Sequence, residues 1–501
     1  MNKDNNIRMV MQEIEPLQVN KEEPEVEIIE EKIKLKLKNV KTQLFAAVAV
    51  SWVSLIIGYS TAYTSPAQLS LERDFNLTNN EMSWMSSFMP LGALLGGLGG
   101  GTLIDTLGRK WSIMLTNVCF LLSWLMCFFA SSYIYLYIGR IIVGISVGVA
   151  SLTLPVYTAE SLQPEVRGSL GLLPTALGNM GVLICFIFGM FYEWKVLALI
   201  GAILAVPFLI MIWFIPETPK FLLGKGDLHK AQKALQWLRG NKTDIESEFA
   251  DLQKIQKESN ELNSSILDLF SKDNLKLLSI VLGLMFFQQF SGINAVIFYT
   301  TKIFKESGSS LDEKYCTMIV GVVNFVSTFI ATLIIDRLGR KILLYISSVS
   351  MVASLAVLGA YFYLKDVSHY NVSTIGWVPL VSFMVYVLGF SLGFGPIPWL
   401  MMGEILPAKI RGPAASISTA FNWTCTFVVT KTFLLIIDAI GNYYTFWMYG
   451  CIVGVSLLFS YFIVPETKGI SLADIERKLT GIKTKRINSI ANLKPMPTNV
   501  G

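Results

Sequence analysis

Twelve apolar stretches, each about the length of a membrane crossing, fill the chain from residue 43 to residue 464. A helix needs about 20 apolar residues to cross a bilayer, and in lipid its backbone groups must be satisfied within the helix itself. The pattern therefore predicts an all-α membrane protein with twelve transmembrane helices. They fall at 43–64, 82–104, 111–130, 133–153, 170–191, 196–215, 276–299, 314–335, 342–363, 376–400, 412–436 and 441–464. The chain then divides into a tail (1–42), six spans (43–215), a linker (216–275), six more spans (276–464) and a second tail (465–501). Both tails read as disordered. Within the linker, Leu228, Ala231, Ala234, Leu235 and Leu238 recur at helical spacing. Asp227 is placed to cap that helix and Gly240 to stop it, so the linker is expected to pack on the inner mouth. Thr243-Asp-Ile-Glu246 has the spacing of a capping box and predicts a second helix. Ser471-Leu-Ala-Asp474 predicts another after the last span.

The polar residues between spans repeat. Asp105-Thr-Leu-Gly-Arg-Lys110 returns as Asp336-Arg-Leu-Gly-Arg-Lys341. Each copy is followed by a Glu and an Arg-Gly pair (Glu160 with Arg167, Glu404 with Arg411), and each half closes on Pro-Glu-Thr at Glu217 and Glu466. A cassette repeated in register implies two pseudo-symmetric six-helix bundles. Charges at a membrane face are costly unless paired or hydrated, and Arg109 and Arg340 can reach Glu160, Glu217, Glu404 or Glu466. Arg140 is expected to add a cation at the inner end of span four. The reading is a charge lock that joins the halves at the cytoplasmic side in one state and releases them in the other. Partly exposed pairs, worth about 0–1 kcal/mol each, are weak enough to break in every cycle.

The loops that carry these basic residues lie on the side shared with the termini, which the excess of Lys and Arg assigns to the cytoplasm. The sequons at Asn76 and Asn371 then lie outside, open to glycosylation. Composition agrees with a membrane protein: 53% of residues are hydrophobic and 15% charged, against about 25% charged in soluble domains. A net charge of +5 spread along the chain gives no footprint for nucleic acid. Six scattered Cys and two His predict no metal site, and no cofactor is implied. No Gly-Lys-Ser/Thr loop offers ATP drive, and no Ser–His, HExxH or paired-acid constellation suggests an enzyme.

Amide side chains inside apolar spans mark the candidate site. Sugars present many hydroxyls, which amides meet as donor and acceptor while an aromatic face covers the ring. Span seven carries Gln288, Gln289 and Asn294, span eight Asn324, and span eleven Asn422 next to Trp423. Span ten adds Trp399 after Pro396 and Pro398. On an ideal helix Asn294 lies about 140° round from Gln289, so Gly292 between them is expected to break the helix and bring the amides together.

The doubled Asp-x-x-Gly-Arg-Lys resembles the signature of the major facilitator superfamily. Pro155-Val-Tyr157-Thr-Ala-Glu160, Pro216-Glu-Thr-Pro-Lys220, Gln288-Gln-Phe-Ser-Gly-Ile-Asn294 and Gly395-Pro-Ile-Pro-Trp399 resemble its sugar-porter branch. Leu172-Leu-Pro-Thr-Ala-Leu-Gly-Asn179 and Asn422-Trp-Thr-Cys-Thr-Phe427 look most like the insect facilitated trehalose transporters. The resemblance implies a plasma-membrane carrier working by alternating access, with sugar and the lipid bilayer as its partners. It assigns the substrate to the amides above and to Thr175, and the outer gate to Phe298 and Tyr299. Thr175 stands where glucose porters carry Gln, Ser391 where they carry Glu, and Thr426 where they carry a second amide. Shorter groups suit a larger sugar, so trehalose is favoured over a hexose. Proton-coupled members carry an Asp after Gly58-Tyr59, where this chain has Ser60. With no other acid deep in the first six spans, facilitated uniport is expected. A glucose-type carrier stays open as an alternative. So does a sugar sensor signalling through its tails, although the short stretch after Pro465 argues against it.

Overall fold

Each predicted span is helical in the computed structural model, which describes residues 40–468 apart from 164–165, 167–169, 241–242, 262–268, 270, 309–310 and 408–409. Among the described residues, 12 helical segments are long and apolar enough to cross a membrane. Spans two (Asn79–Leu107) and four (Tyr133–Ser161) outrun their predicted ends. Thr78 opens span two with a capping box: its hydroxyl accepts from the Glu81 N–H, and the Glu81 carboxylate takes the Thr78 N–H at 2.8 Å. In the repeated cassettes, Gly108 and Gly339 hold φ of +92° and +91°, so one residue suffices to turn span two into three and span eight into nine.

Among the described residues, three spans are interrupted. Span one runs as Lys41–Ala62 and, past Tyr63, as Thr64–Phe75. Span seven stops at Phe290 and restarts at Ile293, with Gly292 at φ +92° between. Span ten breaks between Leu392 and Ile397, ahead of Pro398.

Small residues set the packing, since helices in lipid gain little from apolar burial and associate through close backbone approach. A Cβ at Gly92, Gly144 or Gly148 would run into the backbone of the facing helix where spans two and four meet. Gly58 and Gly181 do the same between spans one and five. In the first half span two packs on four, one on five, and three on six. In the second half nine packs on twelve and ten, and seven on eleven. The halves meet along spans two and eleven, five and eight, and the second pieces of one and seven.

Polar contacts tie the halves at the end opposite the termini. Lys302 pairs with Glu72 at 3.2 Å, and Asn79 donates to Asp438 at 2.9 Å. The Lys431 ammonium reaches Asn80 at 2.8 Å and Ser83 at 2.7 Å and lies 4.4 Å from the Trp84 ring centre. Toward the terminus-bearing end, beyond a contact of Asn179 with Asn324 and Thr328, no hydrogen bond or ion pair joins the halves among the described residues.

The linker holds helices at Pro219–Gly224, Leu228–Arg239 and Glu246–Glu261. Asp227 caps the second as predicted, accepting from the Lys230 N–H at 3.1 Å. Ala231, Ala234, Leu235 and Leu238 are buried, while Leu228 is exposed. The helix rests on the first half: Thr42 donates to the Leu238 carbonyl and Arg239 to that of Ser161. Thr243 does not open the third helix. Its hydroxyl donates back to the Arg239 carbonyl at 2.8 Å, and Asp244 accepts from the Glu246 N–H instead. The helix expected at Ser471 lies outside the described residues.

Candidate functional site

Breaking span seven at Gly292 does what the sequence required of it. Asn294, at the start of the second piece, donates its side-chain amide N–H to the Gln289 side-chain oxygen Oε1. Gln289 donates to Asn422 Oδ1 at 3.0 Å, and Asn422 returns a donor to Gln288 Oε1 at 2.8 Å. Gln288 in turn donates to the carbonyls of Phe394 and Gly395, at 2.8 and 2.9 Å, in the break of span ten. Two helix breaks and span eleven thus meet in one amide network. Tyr386 fixes the span-seven break by donating to the Ser291 carbonyl at 2.9 Å. All these donors and acceptors are neutral, so the cluster suits a neutral polyhydroxyl ligand, whose hydroxyls can take over the same bonds.

Asn324 is not in that network. It donates to Asn179 Oδ1 at 3.2 Å and accepts a longer contact, 3.5 Å, from Ser391. Asn179 also donates to Thr328 at 2.6 Å, making a separate polar bridge from span five to span eight. Trp399 and Thr175 are exposed and bond to none of the amides. Thr426 spends its hydroxyl on its own helix, donating to the Asn422 carbonyl. Phe298 and Tyr299 are both buried, and Tyr299 donates to the Thr430 carbonyl at 2.8 Å while stacking on Phe433. The functional candidates that sequence reasoning missed are Asn179, Lys302 and Lys431. Asn179 lay inside a quoted motif, but its partner across the halves had no local signal.

Among the described residues, the charge cassettes close within each half. Arg109 Nη2 meets Glu160 at 3.1 Å, with Asp105 at 3.7 Å, and Thr218 donates to the other Glu160 oxygen at 2.7 Å. Glu217 accepts the backbone N–H groups of Arg109, Lys110 and Thr218. The second half repeats this: Arg340 meets Glu404 at 2.8 Å, Thr467 donates to Glu404 at 2.5 Å, and Glu466 accepts the N–H groups of Arg340, Lys341, Thr467 and Lys468. The expected bridge between halves is absent among the described residues because each Arg finds its carboxylate on span four or ten of its own bundle. The environments of the two Pro-Glu-Thr carboxyls differ. Burial pushes the Glu217 carboxyl up despite its N–H donors. Burial also acts on Glu466, but its four N–H donors together outweigh it and hold the carboxyl down. Arg167 lies outside the described residues, and Asp336 and Arg411 are placed in helices without a described side chain.

Arg140 is a correction. Span four enters from the end opposite the termini, so Arg140 sits two turns inside that end and not at the terminus-bearing one. It is wholly buried, donates to the Ser60 carbonyl at 2.7 Å and lies 5.9 Å from the Tyr63 ring centre. It takes no part in the cassettes.

A profile of the sugar (and other) transporter family matches residues 46–479. The chain belongs to that family. Within it, this sugar-transporter chain is 54% identical over 467 residues to the facilitated trehalose transporter Tret1 of Polypedilum vanderplanki, covering 92% of each. It is 55% identical to the Tret1 of Aedes aegypti over 92% of this chain and 57% of that one. The chain therefore spans little more than half of some curated relatives and nine-tenths of others. Among solved structures, the xylose transporter XylE of E. coli in an inward-open conformation superposes with a TM-score of 0.73 at 28% identity, covering 86% of this chain and 99% of that one. The proton:xylose symporter XylE bound to 6-bromo-6-deoxy-D-glucose gives 0.71 at 27% identity, covering 89% and 100%. The fold is that of the major facilitator superfamily, and the chain is a multi-pass membrane carrier, not an enzyme.

Proposed function

We propose that this transporter carries a sugar, trehalose foremost, across the plasma membrane by facilitated uniport and alternating access. The observation that carries the reading is the amide network of Gln288, Gln289, Asn294 and Asn422 at two meeting helix breaks. Sugar hydroxyls would replace these mutual bonds. Trp399 and Thr175 would line the path, Asn324 and Asn179 would flank it, and Phe298 with Tyr299 would close it from outside. Trehalose rests on the names of relatives 54–55% identical, and on the short side chains Thr175, Ser391 and Thr426. Uniport rests on Arg140, which meets the Ser60 carbonyl where a coupling carboxylate would be needed.

Lysine contacts between the halves that lie, among the described residues, at the end opposite the termini, together with likeness to an inward-open carrier, fit an inward-facing state with both termini in the cytoplasm. Each cassette would then brace its own bundle, and cassettes of the two halves would meet in the outward-facing state. The division into tail, bundle, linker, bundle and tail follows the cassette repeat. Asn76 and Asn371, both exposed at the outer end, would be the glycosylated positions. Labelled trehalose and glucose, offered to egg cells expressing the chain, test the substrate. Saturable trehalose uptake exceeding glucose uptake is expected; glucose uptake alone would move the reading to a hexose carrier.

A further inference from the structure

Outside the sugar path, a groove of about 770 Å³ lies where the inner ends of spans three and six meet the linker helices Pro219–Gly224 and Leu228–Arg239. Trp111, Trp213, Phe214 and Phe221 wall it. Trp213 and Phe214 are 62% and 63% exposed, and the Trp111 and Trp213 rings meet edge to face at 6.1 Å. Aromatic rings at the ends of spans sit at the boundary between acyl chains and headgroups. Along the linker side the same groove is lined by Lys225, Lys230 and Lys233, all exposed. Lys230 pairs with Asp227 at 2.7 Å. No ion pair is recorded for Lys225 or Lys233 among the described residues, and the Lys225 ammonium instead lies 5.4 Å from the Phe221 ring centre. The one carboxylate in the lining, Glu217, already accepts three backbone N–H groups.

An apolar floor open to the bilayer, with unpaired ammonium groups on its polar rim, is complementary to one class of molecule. We infer that this groove is a site for an anionic phospholipid of the leaflet on the terminus side. Its acyl chain lies against Trp111, Trp213 and Phe214, and its phosphate lies among Lys225, Lys230 and Lys233. A neutral lipid would leave Lys225 and Lys233 without a charged partner, and a soluble phosphate would leave the aromatic wall bare. The bound lipid would touch both Glu217, which holds the start of span three, and the linker, and so fasten the linker to the first bundle.

Native mass spectrometry of the full chain, released from micelles holding equal phosphatidylserine and phosphatidylcholine, tests this. One retained phosphatidylserine is expected, with retention falling by roughly fivefold for each lysine removed in K225Q, K230Q and K233Q. Trehalose uptake by the variants serves as the check on folding. Should the triple variant fail to fold, K233Q alone, at an exposed position, carries the test with the same single-lysine loss. A second variant, W213A, is expected to lower retention of the lipid while leaving any response to inorganic phosphate unchanged. Equal retention of the two lipids, or unchanged retention in the folded lysine variants, would overturn the site. Protection against thermal unfolding by inorganic phosphate as strong as that by phosphatidylserine would overturn the lipid in favour of a soluble anion.

Discussion

Asn422 is the residue on which the amide network turns, accepting from Gln289 and donating to Gln288. Each neutral hydrogen bond contributes about 1 kcal/mol net, so N422A should weaken apparent sugar affinity by about tenfold or more. T426A, which removes a hydroxyl turned onto its own helix, should change it little. Uptake against sugar concentration reads both, and equal losses in the two would remove the network from the site. The amides themselves were legible because polar side chains stand out in apolar spans. Their sorting was not: Asn324 read like the others, yet its partner Asn179 comes from the other half, and pairing across halves leaves no local pattern. Arg140 was misplaced for a plainer reason. Its depth follows from the direction in which span four runs, and it lies near the end opposite the termini.

Among the elements, the break in span seven matters most. Gly292 holds φ +92°, and a Cβ there would come within 3.3 Å of the Tyr449 ring. An L-residue in a left-handed conformation costs about 1–2 kcal/mol. G292A should therefore lower the thermal midpoint and reduce transport at equal surface expression, by straightening the helix and parting Asn294 from Gln289. Unchanged uptake and melting would show that the break is not needed. Hydropathy made the spans legible, and Gly292 and the paired prolines marked two of the three breaks. The third, at Tyr63, has its signal three residues on: Pro66 has no N–H for the Ala62 carbonyl, but with no Gly or second Pro beside it the position did not stand out. Thr243 shows the limit of a spacing motif: the same hydroxyl can close the helix before it or open the one after it, and here it closes.

At the scale of the whole molecule, the lysine contacts between the two bundles lie, among the described residues, at the end opposite the termini, apart from the neutral bridge of Asn179 to Asn324 and Thr328. Lys302 and Lys431 each reach across from the second half to the first, and exposed or partly exposed pairs contribute about 0–1 kcal/mol. K302A with K431A should shift the population toward the outward-open state, lengthening the distance between spin labels on the outer ends of spans one and seven. An unchanged distance distribution would mean that these lysines do not hold the closed outer end. The repeat in the sequence made the two halves legible. It could not show that each cassette pairs within its own half, because both arrangements use the same residues. The most direct test of uniport is trehalose counterflow in vesicles reconstituted with the full chain, with and without an imposed pH gradient. Counterflow indifferent to the gradient and lost in Q289A is the predicted result; trehalose accumulation driven by the gradient would contradict a carrier in which, among the described residues, Arg140 meets the Ser60 carbonyl and no carboxylate.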